Sequence, residues 1–322
     1  MINTFAHTLK ESIINNYSHR NLSRSKQVSD RLGRTNNIWE SKIAKKINEG
    51  RPLLFGRLGG IEAHCMGIYE DFQNGISSPI NYLQARIFYQ RRISQLCNNA
   101  GVYPKSKQMF DFFCEEQFEA LEMMDIFSVW AKPFAWIESQ YLDRSDVLYV
   151  NGDASYPWLE PRDGSDDPGW GSALENKRIL VVSPFIDSIR IKSKKLDKIF
   201  DGLAVPHMDF QFVRAPLTQG GVDDGGSYLK HVSYLKEEIS KLDFDIALIS
   251  AGAYSLPLAA HSKRIGKIGI HAGGALQLFF GITGRRYESY DQVKKYFNEH
   301  WKTPYEHERP KNWMSIEDGC YW

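Results

Sequence analysis

Long hydrophobic runs are missing from this 322-residue sequence. The best candidate, Ile246 to Ala260, is broken by Gly252, Ser255 and Pro257, and falls short of the roughly 18–20 uninterrupted apolar residues a membrane helix needs. No integral membrane segment is expected. The first twenty residues mix Lys10, Glu11 and Asn15 into their apolar positions and offer no hydrophobic core or cleavage site of an export signal, so a cytoplasmic location is expected. Cysteine is scarce: Cys65, Cys97, Cys114 and Cys320 are widely spaced without a C-x-x-C pair, which argues against a zinc site or disulfide framework and for reduced, structural thiols. An excess of one charge is also lacking. Lys and Arg number 40 against 39 Asp and Glu, a net charge of +1, so no global field recruits nucleic acid, and any peripheral membrane association must use a local patch.

The common nucleotide and hydrolase fingerprints are absent as well. Neither G-x-G-x-x-G nor G-x-x-x-x-G-K-[ST] occurs, and there is no G-x-S-x-G or H-E-x-x-H, which removes the main support for a dinucleotide oxidoreductase, a P-loop enzyme, a serine hydrolase or a zinc protease.

What is present is a chain long enough to bury a core without staples. Aromatic residues make up 13%, a supply of stacking surfaces suited to sugars and bases. Residues 1–35 form a polar segment, and 36–322 read as one domain with a possible internal boundary in the Gly-, Pro- and Asp-rich stretch 151–176. Asp163, Asp166 and Asp167 in that stretch lack the Gly and Glu positions of a calcium loop and read as a solvated loop. Trp39, Ile43 and Ile47 predict a helix closing at Gly50, with Asn37 and Glu40 spaced as a cap pair. Pro52 to Phe55 predict a buried strand, and a helix follows over Glu62 to Tyr69. Phe110, Phe113, Cys114, Phe118, Leu121 and Met124 form a helical stripe opposite Glu115, Glu116, Glu119 and Glu122, which read as a solvated face.

The second half alternates more clearly. Strands are predicted at Ile179–Val182, Ile246–Ile249 and Ile268–Ile270, and Tyr228, Val232, Leu235, Ile239 and Leu242 mark an amphipathic helix. Apolar strands alternating with amphipathic helices imply an α/β fold, a Rossmann-like, doubly wound, mostly parallel sheet whose ligands bind beyond the carboxyl ends of its strands.

Three strand-to-helix turns are rich in small and polar residues: Arg57 to Glu62, Ser250 to Tyr254, and His271 to Gln277. Such turns gather backbone N–H groups at helix starts, an arrangement that binds phosphate; each glycine alone is equally explained by tight packing. His271 ends a buried strand just before two glycines and is a candidate site residue, whereas His207 and His231 read as packing or surface residues. Arg285 or Arg286, shortly after the last glycine turn, would suit the charge of a diphosphate. Tyr156, Trp158 and Trp170 are candidate stacking groups.

Two stretches resemble the GT-D type of bacterial glycosyltransferase, built on the domain once known as DUF1792. In the run IALISAGAYSLPLAAHSKRIGKIGIHAGGALQLFFGITGRRYE, Gly252, Tyr254, Pro257, His271, Gly273, Gly274, Gln277, Gly281 and Gly284 fall in the family's register. Phe55-Gly-Arg57-Leu-Gly59-Gly60-Ile-Glu62 resembles the family's Phe-x-Arg-x-Gly-Asp-Gly-Glu turn, whose Asp-x-Glu carboxylates are associated with a divalent cation and the nucleotide-sugar. Here Gly60 stands at the Asp position. The resemblance covers roughly residues 50–70 and 177–290.

It implies a glycosyltransferase that moves a sugar from a nucleoside diphosphate donor, a UDP-sugar, to a glycan or lipid-linked glycan in surface polysaccharide or glycoprotein synthesis. Catalysis is expected of Glu62 and His271. Arg57, Gly59, Gly60, Gly252, Tyr254, Gly273, Gly274, Gln277 and Arg285 are expected to bind the donor. Glu62 is open to three roles: helix cap, ligand of Mn²⁺ or Mg²⁺, or general base. The missing carboxylate is replaced by Asp153, Asp187, Asp223 or Asp224, or the diphosphate is neutralised by Arg57, Arg285 and backbone N–H groups without metal. The alternative function is a non-catalytic nucleotide-sugar-binding or assembly subunit, motivated by Gly60; a further one is another transferase on a similar sheet.

Overall fold

The computed structural model describes residues 39–75, 79–129, 141–142, 144–160, 168–221 and 225–322. The polar segment 1–35, Asn37, the trio Asp163, Asp166 and Asp167, and Asp223 and Asp224 lie outside them, as does the Asp153 side chain.

Seven strands form one parallel sheet in the order β3-β2-β1-β7-β6-β4-β5. They are β1 (Leu53–Gly56), β2 (Ile126–Val129), β3 (Leu148–Asn151), β4 (Lys177–Ser183), β5 (Met208–Arg214), β6 (Ile246–Ile249) and β7 (Ile268–His271). The helices that matter for the site are α1 (Glu40–Asn48), α2 (Gly60–Gln73), α3 (Pro79–Gln95), α4 (Lys107–Glu122), α5 (Ile186–Lys192), α6 (Leu196–Ile199), α7 (Tyr228–Ser240), α8 (Ser255–Arg264) and α9 (Ala275–Phe279). The expected Rossmann-like α/β class is therefore observed, and strands from both sides of the 151–176 stretch belong to one sheet.

Alternation along the strands explains the layers. Leu54, Phe127, Leu180, Val182, Ala247 and Ile249 point to one core with α2, α3, α4, α7 and α8. Leu53, Phe55, Ile126, Ile179, Val181, Ile246, Leu248, Ile268 and Ile270 point to the other, covered by α1, α5, α6, α9 and the C-terminal segment. A sheet buried on both faces needs continuous apolar strands, which is what the short runs of β1 and β6 supply.

The aromatic cluster of the irregular segment corrects an expectation. Tyr156, Trp158 and Trp170 are 4%, 1% and 0% exposed and pack in the second core, so they build the interior and present no stacking surface. The acidic face of α4 is also more engaged than a solvated run: Glu116 pairs with Lys236 of α7 at 2.6 Å and Glu119 with Arg264 of α8 at 2.6 Å. All four cysteines are free thiols, three of them buried.

Strand directions place a crevice. β4 leads outward to β5, whereas its neighbour β6 leads back toward β7, so the sheet has a topological switch point beside the C-terminal ends of β4, β6 and β7, where open α/β sheets bind ligands.

Candidate functional site

A cavity of about 610 Å³ opens over these strand ends, within the size range of small-molecule sites. It is walled by the three glycine-rich turns together: Arg57, Gly59, Gly60 and Glu62 after β1, Gly252 and Tyr254 after β6, and His271, Gly273, Gly274 and Gln277 at the end of β7. Residues far apart in sequence thus converge because β1, β7 and β6 are adjacent parallel strands. Arg285 is the exception: it lies outside the lining and donates to the Asp318 carbonyl at 3.0 Å, while its neighbour Arg286 faces the cavity.

Gly273 adopts φ +56°, and a Cβ there would overlap Nη2 of Arg57. Glycine therefore serves both the left-handed backbone and the close approach of a guanidinium. A Cβ on Gly274 would lie 3.7 Å from Nη1 of Arg286, so two arginines meet the same turn. Burial holds the Arg57 guanidinium below its ordinary pKa; nearby Glu62 opposes the shift and Arg286 adds to it.

Glu62 is the third residue of α2, whose N-cap is Gly59. A Cβ on Gly59 would overlap the Glu62 carboxylate, so the side chain folds back over the helix start, the placement of the acidic member of a capping box. It borders the cavity from that position.

His271 shares its surface between the cavity and a tightly packed wall. Its Nδ1 lies 3.1 Å from the Arg57 carbonyl oxygen. A carbonyl only accepts, so Nδ1 carries the proton and Nε2 is left with a lone pair. Burial first, and the Arg57 charge second, lower the imidazole pKa to about 3. The ring is neutral at physiological pH.

Several lining residues escaped the sequence reading. Arg92 of α3, and Asn99 in the π-helical turn Leu96–Ala100 that follows it, carry no motif of their own. Thr218 and Gln219 come from the connection after β5, and Glu317 and Tyr321 from the C-terminal segment. A π turn at the end of a helix is a recurrent mark of functional sites, but nothing in the side-chain pattern announces one. Tyr254 is buried against Tyr228, its hydroxyl 3.0 Å from Thr218 Oγ1.

Among the described residues the donor set does not fit a divalent cation. Such an ion needs about six oxygen ligands, yet the described lining residues offer the carboxylates of Glu62 and Glu317, the latter ion-paired with Arg286, beside three arginines. Asp187, one candidate for the missing carboxylate, is absent from the lining; it pairs with Arg214 at 2.6 Å and His307 at 2.9 Å. Asp187, His307 and Glu308 lie close enough to share an ion, but the Glu308 carboxylate already accepts from the Ser188 hydroxyl and the backbone N–H groups of Asp187 and Ser188. Among the described residues no helix is long and apolar enough to cross a membrane.

The chain matches no protein-family model, no curated protein and no solved structure. The likeness to the GT-D glycosyltransferases therefore stands on the turn motifs themselves.

Proposed function

We propose that this protein is a glycosyltransferase taking its sugar from a nucleoside diphosphate donor, a UDP-sugar, and passing it to a glycan or lipid-linked glycan acceptor in the cytoplasm. One observation carries the reading: three glycine-rich turns, the first almost 200 residues before the other two, wall a single cavity together with Arg57 and Arg286. Backbone N–H groups and guanidinium groups converging at strand ends suit a diphosphate, and the motif resemblance supplies the sugar.

In the reaction the acceptor oxygen attacks the anomeric carbon, the bond from that carbon to the diphosphate oxygen breaks, and the hydroxyl proton passes to a base. Nε2 of His271 holds an available lone pair. Its basicity rises once the bound diphosphate offsets the Arg57 charge that depresses it. Glu62 is the second candidate for the proton, and its folded-back position also braces the turn. Leaving-group charge develops beside Arg57, Arg286 and the Gly273–Gly274 turn.

A thermal-shift screen of nucleoside diphosphates and their sugars tests this. A true ligand at a hundredfold excess over Kd stabilises by about 2.7 kcal/mol, and a Gly273→Val variant, whose side chain displaces Arg57, should lose that response while still unfolding cooperatively. No shift with any nucleotide, or an undiminished shift in the folded variant, would remove the cavity from this role. Binding without turnover would favour the assembly-subunit reading.

A further inference from the structure

On the donor reading above, the charge of the bound diphosphate must be neutralised at the cavity wall. We propose that the cavity holds its diphosphate without a divalent cation, with Arg57 and Arg286 at the Gly273–Gly274 turn and Arg92 of α3 supplying the positive charge.

Arg57 and Arg286 approach the same two-residue turn from different elements, and their charges oppose each other there. Like charges drawn together at a cavity wall are relieved by an anion, and planar guanidinium groups meet phosphate oxygens in paired hydrogen bonds. Arg286 is held in place by Glu317 and by the Tyr321 ring, 4.6 Å below its Cζ. Its orientation is thus fixed before any ligand arrives.

Arg92 adds an independent observation. Its Nη1 donates to Gln95 Oε1 at 2.7 Å and its Cζ lies 4.7 Å over the Phe88 ring. These contacts hold the guanidinium in place, and Arg92 borders the cavity, so its charge adds to that of the two arginines at the turn. The carboxylates point the same way: Gly60 offers none, and Glu317 is engaged by Arg286. Among the described residues the lining contributes three guanidinium groups against two carboxylates, a balance that disfavours a divalent cation and attracts its usual partner.

Calorimetric titration of the whole protein with UDP and with inorganic pyrophosphate, in EDTA and again in Mn²⁺, tests this. The expected result is UDP binding whose Kd in EDTA and in Mn²⁺ agrees within about threefold. Arg286→Ala and Arg92→Gln, each folded by circular dichroism, should weaken UDP tenfold or more in EDTA, the loss of one charged hydrogen bond. UDP binding abolished by EDTA and restored by Mn²⁺ would overturn the proposal, as would arginine variants that bind like the wild type. Pyrophosphate bound in EDTA with UDP no tighter would keep the cation-free anion site and sink the nucleotide reading. Silence from both ligands in both buffers would sink both.

Discussion

At His271 the fold acts on one imidazole in two ways. The Arg57 carbonyl fixes the tautomer, and burial beside the Arg57 charge drives the pKa from its ordinary 6.5 to about 3. The unfolded chain therefore binds this proton more readily than the native protein. Stability from this group is complete above about pH 6.5 and is lost as the pH falls toward 3. At pH 5 the loss amounts to about 2 kcal/mol, and it depends little on the native pKa so long as that lies well below 5. Urea unfolding at pH 7 and pH 5 should show it: His271→Asn should lose less stability between the two pH values than the wild type does, by about that amount. Equal pH dependence in both proteins would mean that the imidazole is not held neutral. A second consequence follows from the Arg57 contribution. Saturating the cavity with a diphosphate should raise the His271 pKa, read from its imidazole resonances by NMR; an unmoved titration would place the anion elsewhere.

Among the elements, β7 and α8 approach each other closely. Gly269 in β7 faces Ala259 of α8, and a Cβ there would overlap the Ala259 carbonyl oxygen. Backbone cannot yield as a flexible side chain does, so Gly269→Ala should destabilise by about 2–3 kcal/mol as helix and sheet are forced apart. Chemical denaturation measures it, and a neutral result would contradict this packing. The C-terminal segment is tied down in a different manner. Glu308, 3% exposed, caps the start of α5 through Asp187 N, Ser188 N and the Ser188 hydroxyl. Glu308→Ala should cost about 2–4 kcal/mol, because it strips a buried helix start of its acceptor; an unchanged midpoint would show the segment to be loosely attached.

The legibility of the sequence varies along these same elements. β1, β6 and β7 are readable as short apolar runs that end in glycine-rich turns, and the convergence of those turns follows from a parallel sheet. β5 is different. As an edge strand its residues Asp209 to Arg214 keep partial exposure, so Met-Asp-Phe-Gln-Phe-Val-Arg carries no fully buried signature. α3 contains Arg86, Arg91 and Arg92 with no acidic residue and shows too little periodicity to be assigned a face, which hid Arg92. Glu317 and Tyr321 reach the cavity on a tail held by tertiary contacts, among them Trp322 against Phe185 and Arg286 against Glu317, which are invisible to local pattern. Composition alone overstated the aromatic surface, since Trp158 and Trp170 fill the core behind the 151–176 stretch.

At the scale of the whole molecule, one sheet with a switch point gathers glycine turns, three arginines, a neutral histidine and a braced glutamate around a single cavity. Each part is compatible with binding alone; their combination at the place where a sugar's leaving diphosphate would lie is what the transferase reading rests on. Substituting the two candidate bases separates their roles. His271→Gln should lower turnover by roughly 10²–10⁴ if its Nε2 takes the acceptor proton, with nucleotide affinity nearly unchanged, and Glu62→Gln distinguishes a second base from a structural brace by the same comparison of rate against affinity.

The most direct measurement is ³¹P NMR of the protein incubated with a panel of nucleoside diphosphate sugars, with and without a lipid-linked glycan fraction as acceptor. The account predicts that the two phosphorus signals of one donor, a UDP-sugar, are replaced by those of free UDP, faster with acceptor present and lost in Gly273→Val. Donor signals that stay unchanged throughout, although the same donor binds in the cavity, would contradict the claim that this site transfers a sugar.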